Sequence, residues 1–311
     1  MYSEYSGYIF EFKVCFLQKL LNSYFLHGII NLTIFQKIFM RRTEMDISKF
    51  MKNENEKPLD NLVTNGGFCG IFRTIACIGD SLSSGEFESF EAEEKGYHDY
   101  FDYSWGQYIA RDAGCTVYNF SQGGMSAKFY RSFAREKGFF NDEYKSQAYI
   151  IALGVNDTSQ MLANEVEFGD ISDIDLSDYA KNKPTFVGYY AAIIAKYQQI
   201  QPKAKFFLMT IPSGIEPPER EQIYDKHAEL LYKLAEMFDN CYVLDFRKYA
   251  PVYDEEFRKS FFLGGHMNAS GYRLTALMVE SYIDYIIRNN PEDFSQAGFI
   301  GTPFHNSTAK W

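Results

Sequence analysis

Four short stretches of the chain carry side chains that together could transfer an acyl group. The GDS motif at 79–81 offers a hydroxyl nucleophile, and the glycine turn at 123–124 offers backbone N–H groups. The GVND motif at 154–157 adds a side-chain amide, and GGH at 264–266 adds an imidazole. Acyl transfer needs a base for the hydroxyl proton and N–H donors for the oxyanion, so these residue types fit it. Each stretch alone also fits a helix cap or a tight turn, and only the combination indicates a site.

Five short apolar runs predict buried strands, at 73–79, 115–120, 148–153, 205–211 and 241–246. Helical stretches alternate with them, at 104–113, 126–138, 184–201, 217–238 and 269–289. This alternation predicts a parallel sheet with helices on both faces. Ligands of open α/β sheets bind beyond the carboxyl ends of the strands. Three of the four motifs directly follow strands and the last precedes the final helix, so all four are expected at one edge of the sheet.

In order along the chain, the four motifs resemble those of the SGNH hydrolases, the branch of the GDSL esterases and lipases named after Ser, Gly, Asn and His. The matching stretches are IACIGDSLSSGEF, NFSQGGMS, LGVND and GGHMNASGY, within residues 75–285. The resemblance implies a flavodoxin-like three-layer α/β/α sandwich with a five-stranded parallel sheet. It also implies a serine esterase with Ser81 as nucleophile and His266 as general base, in which Ser81, Gly124 and Asn156 form the oxyanion hole.

The acid of the implied triad is missing from its usual place. The family has an aspartate three residues before the histidine, where this chain has Leu263. Leucine can neither fix the tautomer of His266 nor stabilise its charged form. Three alternatives stay open: a backbone carbonyl orients the imidazole in a Ser-His dyad, a displaced carboxylate such as Asp245 or Asp254 replaces the acid, or the protein is a weak or inactive enzyme.

An insertion rich in acidic and aromatic residues follows the nucleophile motif, at 86–105. Aromatic rings beside acids can stack on neutral sugar rings and disfavour anionic lipid headgroups, although the same residues also suit a solvated lid. We therefore expect de-acetylation of a carbohydrate or another small ester. Lysophospholipase or lipase-type activity and a catalytically weak binding module are the alternatives. A nucleotide or FMN binder is a further one, but the chain has no GxxxxGK[ST] or GxGxxG loop.

The composition is that of a globular protein, with 311 residues, 46% of them apolar and 23% charged. The formal net charge of -10 has the wrong sign for a protein that binds nucleic acid by neutralising its phosphates. The five cysteines have neither zinc-ligand spacing nor the pattern of a disulfide framework. We expect no metal, no cofactor and no nucleic-acid partner, with reduced thiols in the cytoplasm.

Three segments are expected along the chain: an apolar N-terminal extension at 1–44, a linker at 45–70 and the hydrolase domain at 71–311. Charged residues within 8–40 interrupt any apolar span of about 20 residues, so membrane contact is expected only through this stretch, if at all. A peripheral helical appendage, a start codon assigned upstream of Met45 and a membrane anchor stay open. The chain start lacks a secretory signal pattern, so a cytoplasmic location is expected. The oligomeric state is not indicated.

Overall fold

The computed structural model describes residues 47–91 and 94–303, with the side chain of residue 91 left out. The predicted N-terminal extension, with its stretch 8–40, lies outside the described residues. The chain divides into two units, 1–50 and 51–311. The described part of the first unit is 47–50, which contains a 3₁₀ turn at Ser48–Phe50. The second unit contains the sheet and all the candidate site residues.

The strands of the second unit, within the described residues, are β1 Thr74–Gly79, β2 Glu86–Glu91, β3 Glu94–Asp99, β4 Thr116–Ser121, β5 Ala148–Ala152, β6 Lys205–Met209, β7 Cys241–Leu244, β8 Phe262–Leu263 and β9 His266–Met267. Five of them form a parallel sheet of order β4-β1-β5-β6-β7, and each overlaps a predicted strand. Renumbered 1 to 5 along the chain, these five follow the flavodoxin-like order 2-1-3-4-5. β2 pairs with β3, and β8 with β9, as two antiparallel hairpins.

The helices are α1 Ser81–Ser84, α2 Trp105–Ala113, α3 Ala127–Glu136, α4 Val155–Leu162, α5 Phe186–Ile200, α6 Pro218–Met237, α7 Phe246–Tyr249, α8 Glu255–Phe261, α9 Ala269–Asn289 and α10 Pro291–Phe294. Short 3₁₀ turns lie at Gly67–Ile71, Phe101–Tyr103, Asp142–Tyr144, Ile171–Asp173, Tyr179–Lys181 and Ala297–Phe299. The five predicted helices correspond to α2, α3, α5, α6 and α9. Within 47–91 and 94–303, no helix has both the length and the apolarity needed to cross a membrane.

Two apolar cores, one on each face of the sheet, make the fold a three-layer sandwich. Successive strand residues point to opposite faces, so Ile75 and Cys77 of β1 join one core while Ala76 and Ile78 join the other. Helices α2 and α9 cover the first face, and α3, α5 and α6 cover the second. Because both faces of β1 are buried, its sequence is apolar throughout instead of alternating. The predicted α/β/α sandwich is thus confirmed.

The three strands that carry the site end in register at one edge of the sheet. Gly79, the last residue of β1, pairs with Ser121 of β4 on one side and with Ala152 of β5 on the other. The chain continues from β1 to β4 and then crosses to β5, so this edge is the topological switch point of the sheet. The loops after β1, β4 and β5 therefore leave the sheet side by side.

The segment predicted as a linker packs against α9. The Val63 N–H donates to Ser281 Oγ at 2.9 Å, and Glu56 forms two hydrogen bonds with Arg288, at 2.7 and 2.8 Å. The side chains of this ion pair are only 8% and 5% exposed. From Glu56 onward the segment is therefore held against the domain that follows it, while the predicted boundary at 44 lies outside the described residues.

Candidate active site

Ser81 begins α1 directly after the central strand β1. The preceding residue, Asp80, caps this helix, because its Oδ1 accepts the Leu82 N–H at 3.1 Å. Asp80 is 3% exposed, and burial raises the pKa of its carboxyl to about 6. At Gly79 a Cβ would lie 2.1 Å from Ser83 Oγ, so the strand can turn this sharply into the helix only with glycine there. These contacts fix Ser81 at the carboxyl end of β1.

The loops after β4 and β5 carry the donors predicted for the oxyanion hole. Gly124 has a φ of +71°, which glycine adopts without strain. Its backbone N–H, like that of Ser81, has no acceptor among the described residues. Asn156, in the first turn of α4, donates through Nδ2 to the Met125 carbonyl at 3.1 Å and to Asp80 Oδ2 at 3.4 Å. The amide therefore bridges the Gly124 loop and the Ser81 turn.

Two buried side chains hold the Asn156 loop in place. Asp157 Oδ1 accepts the N–H that begins α3 at 2.9 Å, and burial raises the pKa of this carboxyl to about 7. His227 donates through Nε2 to the Leu153 carbonyl at 3.0 Å, and burial lowers the pKa of its imidazole to about 4. A Cβ at Gly154 would lie 2.7 Å from that ring nitrogen. His227 is thus a neutral histidine beneath the loop that presents Asn156.

A carboxylate from β2 supports His266. Nδ1 of His266 lies 2.8 Å from Glu88 Oε1, which also accepts the Gly265 N–H at 2.9 Å. Lys95 of β3 lies 2.8 Å from the other oxygen of Glu88, whose side chain is 1% exposed. Burial raises the pKa of Glu88, but the hydrogen bonds from Lys95, His266 and Gly265 outweigh it and leave the pKa below its ordinary value. Glu88 is therefore a buried, ionised partner of the imidazole.

The turn between β8 and β9 leaves room for this carboxylate. Gly264 has a φ of +71°, and a Cβ on it would lie 2.0 Å from Glu88 Oε2. Leu263, at the usual position of the acid, is 42% exposed. The site therefore combines a turn without side chains and a carboxylate from another element.

Asp245 and Asp254, the predicted replacements for the missing acid, have other partners. Asp245 Oδ2 accepts from the Tyr232 hydroxyl at 2.8 Å, and its Oδ1 caps α7. Asp254 caps α8 through a first-turn N–H at 2.9 Å. Among the described residues no hydrogen bond or ion pair joins either of these carboxylates to His266. The carboxylate at the imidazole is Glu88 instead, and Nδ1 is not oriented by a backbone carbonyl.

A second carboxylate of β2 faces the other nitrogen of the imidazole. Glu86 Oε1 lies 3.3 Å from His266 Nε2. Its Oε2 lies beside Gly123, where a Cβ would be only 2.3 Å from it. Glu86 and Glu88 lie two positions apart and so share one face of β2. Among the described residues no hydrogen bond joins Ser81 to His266, and Glu86 lies between the base and the glycine turn of the predicted oxyanion hole.

Sequence reasoning did not single out these two glutamates. They lie in the stretch EFESFE, in which an acidic residue alternates with an aromatic or small one over 86–89. Alternation with a period of two is the signal of a strand with unlike faces, and it places Glu86 and Glu88 on the same side. That signal was present, but their contact with a histidine near the other end of the domain was not readable from spacing.

A small apolar cavity lies beside Ser81. Its volume is about 60 Å³, and its walls include the residues on either side of Ser81 and the residue after His266. The apolar side chains that line it include Leu82, Met209, Ile211, Pro212, Tyr253 and Met267. A cavity of roughly 150 Å³ takes benzene, so this one has room for a short acyl group and not for a long chain.

Both faces of the β2–β3 hairpin carry aromatic residues, with Phe87 on one face and Phe90 and Tyr97 on the face that also carries Glu88. Phe87 packs against the buried Tyr272, with ring centroids 5.1 Å apart. Tyr97 meets His266 edge-on, with centroids 6.1 Å apart. The rings that are at least half exposed here are Phe90, Tyr97, Tyr100 and Tyr103. The predicted insertion is therefore an anchored hairpin that presents aromatic rings beside the base.

Comparison with known proteins assigns the chain to a family. A model of the GDSL-like lipase/acylhydrolase family matches residues 77–274, which include all four motifs. The chain belongs to this family. Its membership confirms the resemblance derived from the motifs and the prediction of an ester hydrolase.

Several solved structures are similar to this acylhydrolase family member. An acetyl xylan esterase, AlAXEase, has a TM-score of 0.45 and 17% identity, over 68% of this chain and 99% of that one. A family two carbohydrate esterase from Clostridium thermocellum, in complex with cellohexaose, has a TM-score of 0.49 and 17% identity, over 71% and 65%. A protein described as a GDSL-like lipase from Parabacteroides merdae has a TM-score of 0.46 and 18% identity, over 72% and 98%. Among curated proteins no match was found.

Proposed function

We propose that the chain hydrolyses short-chain carboxylic esters through an acyl-enzyme on Ser81, with His266 as general base and Glu88 as its supporting carboxylate. The observation that carries this proposal is the 2.8 Å contact between Glu88 Oε1 and His266 Nδ1, at the sheet edge that also presents Ser81. The missing acid suggested a non-catalytic binding module as an alternative. With a carboxylate at Nδ1, hydrolysis becomes the better-supported function.

In the proposed acylation step, His266 Nε2 takes the proton of Ser81 Oγ while this oxygen attacks the ester carbonyl carbon. The N–H groups of Ser81 and Gly124 donate to the oxyanion, and so does Nδ2 of Asn156, which exchanges its long 3.4 Å hydrogen bond to Asp80 for this contact. When the tetrahedral intermediate collapses, the bond from carbon to the alcohol oxygen breaks and His266 returns the proton to the alcohol. In deacylation, water gives a proton to His266 and attacks the acyl carbon, and Ser81 leaves with that proton.

Glu88 has two roles in this scheme. Its contact at Nδ1 keeps the proton on that nitrogen, so Nε2 retains the lone pair that accepts the Ser81 proton. Its negative charge then stabilises the imidazolium that forms. Glu86 leaves Nε2 when the ester binds, since catalytic hydrogen bonds commonly form only in the complex with substrate.

The shape and charge of the site also favour one class of substrate. A cavity of about 60 Å³ beside Ser81 favours acetyl or another short acyl group. The exposed rings of the hairpin beside the acidic residues favour a neutral, hydroxylated alcohol such as a carbohydrate. A lysophospholipid has a long acyl chain and a phosphate, and both features fit this site less well. A cytoplasmic location and the lack of a nucleic-acid partner stay predictions from the sequence.

The first experiment measures p-nitrophenol release from p-nitrophenyl acetate and labelling by a fluorophosphonate probe, followed by intact mass. Wild type should turn over the ester and be labelled, whereas Ser81→Ala should do neither. The matched control Ser132→Ala changes an exposed serine on α3 and should behave as wild type. An inert, unlabelled wild type would contradict the proposal and favour a binding module. Faster turnover of lysophosphatidylcholine than of acetylated sugars would contradict the substrate class.

A further inference from the structure

Glu86 has no role in the mechanism above, although it lies at the reacting nitrogen. Its Oε1 is 3.3 Å from His266 Nε2, and its Oε2 is beside Gly123 of the oxyanion loop. The alcohol oxygen of an ester must receive its proton from this same nitrogen. Glu86 therefore occupies, in the free enzyme, the place that the alcohol oxygen takes during the reaction.

The backbone of Glu86 is fixed, so its carboxylate stays close when a substrate displaces it. The Tyr272 hydroxyl donates to the Glu86 carbonyl at 2.6 Å, and Glu86 pairs with Asp99 across the hairpin. The side chain can turn only about its own bonds. After displacement its oxygens remain beside the alcohol oxygen, within reach of the groups next to it on the substrate.

We propose, on the basis of the function proposed above, that Glu86 selects the alcohol half of the ester by accepting a hydrogen bond from a hydroxyl adjacent to the ester oxygen. A carboxylate can only accept hydrogen bonds, so it favours a hydroxyl and repels a phosphate. The side chain is 19% exposed, and among the described residues the imidazole of His266 is the only basic group that its carboxylate contacts. Lys95, the cation nearest to His266 on this hairpin, is bound to Glu88.

A hydroxyl fits this position better than a cationic group does. The Lys95 ammonium lies 4.8 Å from the centre of the Tyr97 ring, and Tyr97 meets His266 edge-on. A positive group on the substrate would therefore approach an aromatic ring that already binds a cation, and it would be repelled by that cation. The alcohol that fits is a neutral polyol, such as a sugar with a free hydroxyl next to the acylated one.

The experiment compares kcat/KM for two acetate esters that differ by one hydroxyl, 2-hydroxyethyl acetate and ethyl acetate. Because a hydrogen bond to a charged acceptor is strong, wild type should prefer the hydroxylated ester by about tenfold. The preference should vanish in Glu86→Ala and fall in Glu86→Gln, which keeps the shape but loses the charge. Glu94→Gln removes an acidic charge from the other end of the hairpin and should keep the preference. The ratio of the two kcat/KM values is measured within each variant, so partial unfolding of a variant lowers both values equally and does not change the ratio.

An equal ratio in wild type and Glu86→Ala would overturn this assignment. The assignment would also be overturned if Glu86 raised kcat/KM for acetylcholine more than it raised kcat/KM for the hydroxylated ester. If wild type hydrolyses ethyl acetate and Ser81→Ala does not, the proposed function stands whatever the ratio shows. If wild type hydrolyses neither ester, the proposed function fails and the assignment of Glu86 falls with it.

Discussion

Glu88 and His266 are 178 positions apart in the sequence, yet Glu88 Oε1 lies 2.8 Å from His266 Nδ1. The imidazole thus receives its carboxylate from a hairpin inserted after the nucleophile motif, and not from the residue three positions before it. The packing of this hairpin against β8 and β9 sets the geometry of the base. Substitutions on the hairpin that remove or displace Glu88 should therefore act on turnover.

Glu88→Gln should lower kcat for p-nitrophenyl acetate by about 10²- to 10⁴-fold and change KM far less, because an amide cannot stabilise the imidazolium. The measurement is steady-state kinetics together with a melting curve, which should show that the variant is folded. The control Glu94→Gln removes one charge from the same hairpin and should retain the kcat of wild type. A kcat of Glu88→Gln within about threefold of wild type would show that His266 does not need this carboxylate.

Gly264→Ala should lower kcat because its Cβ would lie 2.0 Å from Glu88 Oε2 and displace that carboxylate. Gly114→Ala is a matched control, since Gly114 has a similar φ of +66° but open space around its Cβ position. Both variants should lose about 1–2 kcal/mol of unfolding free energy from the left-handed backbone. Only Gly264→Ala should lose activity, and equal kcat values in the two variants would contradict this account.

Asn156→Ala should lower kcat by about 10²- to 10³-fold, the usual effect of removing one oxyanion donor, with little change in KM. Steady-state kinetics with p-nitrophenyl acetate measures it. The control Asn289→Ala removes an asparagine whose amide bonds only within α9, and should leave kcat unchanged. If Asn156→Ala turns over like wild type, the oxyanion is held by the backbone N–H groups alone.

Glu280→Gln should make the fold less sensitive to alkaline pH. Glu280 on α9 is fully buried, and burial, with the nearby charge of Asp112 adding to it, raises its pKa from 4.5 to about 8. As pH rises above 4.5 the unfolded chain releases this proton while the folded chain keeps it. The free energy of unfolding therefore falls by up to about 1.4 kcal/mol per pH unit until the pH reaches the folded pKa.

Urea unfolding at about pH 5 and about pH 8 measures this effect. The stability of Glu280→Gln relative to wild type should increase between the two pH values, since glutamine does not ionise. Glu292→Gln, at an exposed position, is the control and should show the same difference from wild type at both. If the difference for Glu280→Gln is also independent of pH, the side chain is not protonated in the folded state.

The central sheet and the long helices could be predicted from the sequence because local patterns determine them. The run TIACIG of β1 is apolar throughout because both of its faces are buried, and α9 carries an apolar stripe because one side of it covers the sheet. The short helices were not predicted, since α7 and α8 depend on the capping carboxylates of Asp245 and Asp254 more than on periodicity. Those same two residues were proposed as acids, and their capping role explains why each stands directly before a helix.

The parts of the candidate site that could be predicted from the sequence are those in which a motif has a fixed place relative to a strand or helix. Ser81, Gly124 and Asn156 each follow a strand of the central sheet within four residues, and His266 lies shortly before α9. Glu88 was not predictable in this way, because its role depends on how a hairpin folds over a distant turn. Because Gly264 has no side chain, it leaves room for Glu88, but a glycine alone does not indicate which group fills the space beside it.

The proposed nucleophile and the carboxylate beside His266 lie within one stretch of eight residues, 81–88, while the proposed base comes from near the end of the domain. In evolutionary terms, an exchange of this short stretch would carry both proposed roles together. A relative with this hairpin and an acid at the position of Leu263 would hold two carboxylates for one imidazole. Either carboxylate alone could support the imidazole, so leucine at 263 is compatible with the proposed catalysis.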